Sequence, residues 1–340
     1  MRPRILSVAF LIWSASCLAQ TTLPAPPGAT TAATRSIFEY ERSPYLCVSG
    51  GAEIYVGRVT SKGPVILQQD PVESGLLKFT IDRSLRGSAA SPMTLPYSFT
   101  HSVGLYHGSM VSQTWPDVDD LVKDGSLLLI VVIPGADDPI AKVTPGCPGA
   151  ASNVYVVSGQ DDPIVKAYQG FIAICSLQGQ KAAEAIATEA GAGTPLERAF
   201  AEDAAAAALG PEDAVKVIGA AVEAGEKVEK PNEDTEDIRH GTDLLLDFGL
   251  SPGSRPVAGR LPAKRMMVHV VISSPNPNFN HWPVLSLARF IEGGAKVTDV
   301  VPTAADQAAL ADAVRTTSKG ADPTTQAACT SVLKWLGVGN

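Results

Sequence analysis

The spacing of hydrophobic positions changes near Asp162. Upstream they fall in short β-branched and aromatic runs, at 52–60 (AEIYVGRVT), 65–69, 76–85 (LLKFTIDRSL), 93–99, 126–133 and 153–157, each bounded by Gly, Pro, Ser or Asp. Leu77, Phe79 and Ile81 alternate with Lys78, Thr80 and Asp82, as a sheet with one wet face requires. The run from Leu127 to Ile133 is strand length and too short to cross a bilayer. Six strands of this kind predict a small antiparallel β-barrel or sandwich.

Downstream the chain turns to Ala, Leu and Glu with helical spacing. The pattern predicts helices at about 163–177, 179–190, 195–208, 211–224, 234–248, 262–273, 282–292, 304–318 and 323–336. Asp162 before Pro163 is a helix start, since Asp caps free N–H groups and Pro tolerates the first turn. The charged, Pro-broken stretch from Glu223 to Asp237 reads as a loop. The expected fold class is therefore α+β in separate domains: a β domain at 36–160 and an all-α domain of paired helices at 161–340.

The N-terminus adds a compartment. Arg2 and Arg4, the apolar run from Ile5 to Trp13 and the small residues ending at Ala19 have the order of a secretory signal. Residues 1–19 are thus expected to be a signal peptide, placing the protein in the periplasm or outside the cell. An alternative reading makes Cys17 a lipid-anchored cysteine, although the Leu usual three positions earlier is missing. Residues 20–35 (QTTLPAPPGATTAATR) offer almost no large apolar side chain and read as a disordered linker.

Removal of the signal leaves 25 basic against 35 acidic residues, a net charge of −10. That balance argues against a nucleic-acid partner, which needs a concentrated basic face; the densest basic stretch, Arg255, Arg260, Lys264 and Arg265, reads as solvated surface. Four cysteines remain, Cys47, Cys147, Cys175 and Cys329, with no C-x-x-C spacing. Cys47 and Cys147 flank the β domain just outside expected strands, so an oxidising compartment predicts a disulfide between them. Cys175 and Cys329 lie in the first and last expected helices and are predicted to stay unpaired.

The segments "AEIYVGRV", "LLKFTIDRSLRGS", "MTLPYSF" and "DGSLLLIVV" together resemble the netrin-like, OB-type barrel of the tissue inhibitors of metalloproteinases, over residues 47–157. In that family an N-terminal cysteine chelates the protease zinc. Here 27 residues run from Gln20 to Leu46 ahead of Cys47, so the resemblance implies the fold without the inhibitory chemistry. "TPLERAFAEDAAAAALGPEDAVKVIGAAV" resembles a HEAT-type repeat, and the stretches opening at Asp161 and Asp322 follow the same scheme. This resemblance covers 162–340 and implies a helix-pair array that docks a protein partner.

Two loops carry candidate binding residues. His101, Tyr106, His107 and Trp115 lie in the expected loop 100–116 of the barrel, where ligands are often held, although six-residue His spacing fits no metal signature. Asp117, Asp119 and Asp120 lack the calcium-loop pattern and read as the cap of a short turn before Leu121. Phe279, Asn280, His281 and Trp282 form a polar and aromatic loop that either docks a partner or pins the following helix.

Gly249-Leu250-Ser251-Pro252-Gly253 matches G-x-S-x-G, but a helix is expected before it and Pro252 has no N–H for an oxyanion. Gly249 is expected instead to close that helix in a left-handed conformation. No motif assigns a cofactor, a metal or a reaction. The sequence thus points to an exported, non-catalytic interaction or scaffold protein. A ligand-binding or inhibitory β module, or an enzyme with its site at the junction near Asp161 and Asp162, are the alternatives.

Overall fold

The computed structural model describes residues 43–69, 72–100, 105–106, 109–110, 118–133, 150–228, 236–250 and 257–338. The expected signal peptide and linker, His101, His107, Trp115 and Cys147 lie outside them, so the Cys47–Cys147 disulfide does too. No disulfide joins the described cysteines.

The first described element is a helix, α1 (Pro44–Ser49), inside the expected β domain and ahead of its first strand. The strands are β1 (Glu53–Gln69), β2 (Val72–Arg86), β3 (Met93–Thr100), β4 (Leu105–Tyr106), β5 (Ser109–Met110), β6 (Leu127–Ile133) and β7 (Ala150–Val156), with helix α2 (Val118–Asp124) before β6. The runs at 52–60 and 65–69 belong to one strand, because β1 continues through Gly63-Pro64 with register shifts against β2 rather than breaking. Tyr106 pairs with Ser109 in the β4–β5 ribbon inside the expected loop. Asp119 and Asp120 occupy the first turn of α2, a full helix rather than a short turn.

The main sheet is antiparallel in the order β3-β2-β1-β6-β7 and is not closed by hydrogen bonds, so the expected barrel or sandwich is an open sheet with β3 and β7 as its edges. Those edges nevertheless approach each other. One face gathers Tyr55, Leu77, Phe79, Leu95, Tyr97, Leu128, Ile130 and Val132 with Val118 and Leu121 of α2 into a core of its own.

The other face of β1, β6 and β7 is buried as well. Ile54, Val56, Leu129, Val131, Tyr155 and Val157 belong to a second core that continues through the helices to Leu333. The uninterrupted run at 127–133 follows from this, since a strand covered on both sides has no polar face to offer. An aromatic series carries the core across: Tyr155 and Tyr168 lie 5.7 Å apart, Tyr168 and Phe171 5.3 Å, Phe171 stacks on Phe200 at 4.0 Å, and Phe200 meets Tyr45 of α1 edge-on at 5.6 Å. Arg86 ties β2 to the same place by donating to the Val48 carbonyl at 2.6 Å.

The helices that follow are α3 (Pro163–Cys175), α4 (Gly179–Ala192), α5 (Pro195–Ala208), α6 (Pro211–Val228), α7 (Glu236–Leu250), α8 (Arg260–Ser273), α9 (His281–Glu292), α10 (Val297–Val300), α11 (Ala304–Ser318) and α12 (Pro323–Trp335). Several of their starts carry side-chain caps. Asp162 accepts from Ile164 N–H at 2.9 Å, Thr194 and Glu197 form a reciprocal capping box, and Asp322 accepts from Thr324 and Thr325. Neighbours in sequence pack together, and so do alternate helices: α3 on α5, α5 on α7 and α7 on α9 in one layer, α4 on α6, α6 on α8 and α8 on α11 in the other. Helix α12 packs on α9 and α11, extending the first layer, while α1 packs on α3 and α5 at its opposite end.

Cys175 and Cys329 are unpaired. Burial pushes both thiols above the ordinary range, with Arg86 partly offsetting this at Cys175. Cys329 is fully buried, whereas Cys175 is only half-buried and so less enclosed than a core position. Gly249 is not a left-handed terminus: α7 runs on to Leu250, and a Cβ on Gly249 would fall 2.3 Å from the Phe290 ring. Its role is to let α9 approach. No described helix is long and apolar enough to cross a membrane.

Candidate functional site

Of the expected binding residues in the second loop, the structure sends Phe279 and Asn280 inward. Phe279 packs with Val222, Ile238 and Val270, and Asn280 donates to the Val271 carbonyl at 3.2 Å. His281 and Trp282 remain half-buried with their rings 3.8 Å apart, and Trp282 lies against the Phe279 cluster. Three of these four side chains thus contribute to fixing the start of α9. At the junction, Asp162 accepts from Ser158 N–H and Oγ as well as from Ile164. Its partial desolvation, which raises the pKa, is outweighed by these bonds, and the carboxyl sits below the usual range. Asp161 is exposed beside Lys166.

The unusual chemistry lies elsewhere, around α6. Arg198 of α5 and Asp237 of α7 form an ion pair at 2.8 Å with both side chains only 2% exposed. Arg198 also donates to the Gly193 carbonyl at 2.7 Å, which fixes the α4–α5 turn. Burial pushes the Asp237 carboxyl up, and Arg198 with the Ile238 N–H pulls it back. Beside this pair, His240 meets Asp203 at 3.0 Å. Further along α6, Glu223 meets His269 of α8 at 3.1 Å, and Ser273 donates to Glu223.

Glu226, in the last turn of α6, is 3% exposed, and among the described residues neither carboxylate oxygen has a hydrogen-bond partner. Burial is the main cause that raises its pKa to about 7, with Glu223 adding to it and Ser274 and Lys227 opposing. The stretch from Glu223 to Asp237, expected as a loop, therefore has both ends in helices and two of its carboxylates in the core.

Two grooves flank α6 on the α4–α6–α8 layer. One, of about 330 Å3, lies between the end of α4 and α6 and is lined by Gly191, Gly193, Arg198, Ala220, Glu223, Ala224 and Lys227. The other, of about 450 Å3, lies between α6 and α8 and presents Val215, Pro262 and Met266 among Glu212, Lys216, Arg265 and His269. Arg265 is oriented by donation to the Asp299 carbonyl at 3.0 Å. Both are concave surfaces lined by small or apolar side chains mixed with charged ones, suited to holding a side chain or a short segment of another molecule. Among the described residues no group of three or more His, Cys, Asp or Glu is arranged to hold a metal ion.

The sequence carried no residue-type signal for this cluster. Helix α5 also bears Glu197 and Asp203, and charges on such a small-residue helix ordinarily face solvent, whereas Arg198 and Glu202 are buried. Their partners, 39 residues away for Arg198, have no local signature. No family model, curated protein or solved structure matches the chain.

Proposed function

We propose that the chain is an exported interaction protein in which an OB-type β module covers the first end of a HEAT-like stack of helix pairs, and that the stack docks a protein partner along its α4–α6–α8 layer. A five-stranded, partly open sheet whose edge strands draw together supports the OB-type reading. Contacts between alternate helices in two layers support the stacked reading, because each helix pair leaves apolar surface on two sides that only its neighbours can cover. On this view the outer face of β1, β6 and β7, together with α1, covers the exposed end of the first pair.

The observation that carries the docking surface is the pair of grooves on either side of α6, on one layer of the stack. Lys216 and Lys227 stand on their rims within reach of amine-directed cross-linkers. The test is cross-linking of the mature protein in its own exported fraction, followed by peptide identification. Partner peptides should attach at Lys216 or Lys227, and the double substitution Lys216→Glu, Arg265→Glu should reduce capture at least tenfold, while Lys334→Glu on α12 leaves it unchanged. Capture equally sensitive to Lys334→Glu, or no cross-link to this layer, would contradict the proposal.

A further inference from the structure

Helices α6 and α8 lie side by side and run in the same direction. Their contacts advance together along both chains: Val215 and Lys216 share a groove with Pro262 and Met266, Gly219 abuts Met266, Glu223 meets His269 and Ser273, and Glu226 faces Ser274 at the α8 cap. Two C-terminal helix ends are therefore brought to the same place, each presenting the negative pole of its backbone dipoles. Glu226 is buried there, and Ser274 faces it without meeting hydrogen-bond geometry. One turn earlier Val222 packs with Ile238, Val270 and Phe279, so this carboxyl sits at the rim of a small apolar cluster.

We infer that the last turn of α6 is a pH-operated latch, closed while the Glu226 carboxyl is neutral and released when it ionises. An anion at this position meets no donor in hydrogen-bond geometry among the described residues, lies against two like-signed helix ends and has Glu223 on the preceding turn, so it gains little by staying buried. Exposure to water relieves all three penalties. Among the described residues the other charged or titratable groups at this end are Lys227 on α6 itself, His269 on α8, and Asp237 with Arg198 on α7 and α5. Lys227 is the only cation on the same turn, and it is exposed on the rim of the first groove. Glu223, Ala224 and Lys227 line that groove, so release of the turn would reshape it directly. This inference does not depend on the partner proposed above, because its readout is the backbone of α6.

The test is peptide-resolved hydrogen exchange on the full mature chain at pH 5.5 and 8.5, corrected for intrinsic exchange rates. With the closed-state carboxyl titrating at about 7 and the open state at the ordinary value, opening of 222–228 should increase about 30-fold across this range. Glu226→Gln should flatten the response, and His269→Gln should leave it in place. Histidine is the other residue type at this end that changes charge near neutrality, so the second variant separates the two. A wild-type change below threefold, or an undiminished change in Glu226→Gln, would overturn the latch. Should Glu226→Gln not fold, carboxyl NMR of the wild-type protein decides: titration near 7 supports the latch, and titration near 4.5 refutes it.

Discussion

Arg198 and Asp237 are buried together as an ion pair, and their value is better measured by separation than by distance. Arg198→Met should cost about 3–5 kcal/mol in urea unfolding, because it leaves Asp237 buried without its cation. The double variant Arg198→Met, Asp237→Leu should regain most of that loss. Glu226 gives a pH signature of opposite sense to an ordinary carboxylate. Its folded pKa, about 7, lies above the unfolded value, so the folded state holds a proton that the unfolded chain has already released. Its contribution is full below about 4.5 and is lost as pH rises to about 7, a decline on the order of 3 kcal/mol. Unfolding free energies at pH 5 and 8 should show this slope in the wild type and not in Glu226→Gln. None of this was legible from residue types, because a charge run in a sequence is ordinarily a solvated one, and burial of these charges depends on α5, α7 and α8 converging from distant positions.

Elements were the legible scale. The nine helices expected downstream of Asp162 all form, four of them with starts set by Asp162, Thr194, Thr303 and Asp322, since capping is chemistry between residues two or three apart. What local chemistry could not settle was anything decided by a neighbour. Gly63-Pro64 reads as a break, yet β2 holds β1 in one strand across it. Gly249 reads as a helix end, yet its reason is the Phe290 ring on α9. Two alanine substitutions test that distinction. Gly249→Ala should destabilise by about 1–3 kcal/mol through overpacking, although it lies inside a helix. Gly191→Ala, in α4 with nothing near its added methyl, should stabilise by about 0.4–1 kcal/mol. Thermal or urea unfolding of both variants reads the sign, and two changes of the same sign would contradict the packing account.

At the scale of the whole molecule, the change of composition near Asp162 is a change of secondary structure across which the core continues. The apolar run at 127–133 is the sequence's sign of it, and the partner of that face, α1 with α3 and α5, emerges only in the folded chain. Phe171, stacked on Phe200 and fully buried, stands in the middle of the shared core, and Phe171→Ala should cost about 3–5 kcal/mol. If the sheet and the first helices are one cooperative unit, that loss is felt on both sides of the junction. Hydrogen exchange across a urea series at pH 5.5, with peptides from β1 and β6 compared with peptides from α3 and α5, measures this most directly. The shared core predicts one midpoint for all four elements and an equal shift of all four in Phe171→Ala; a sheet that loses protection at lower urea while α3 and α5 stay protected, or a shift confined to the helices, would contradict it.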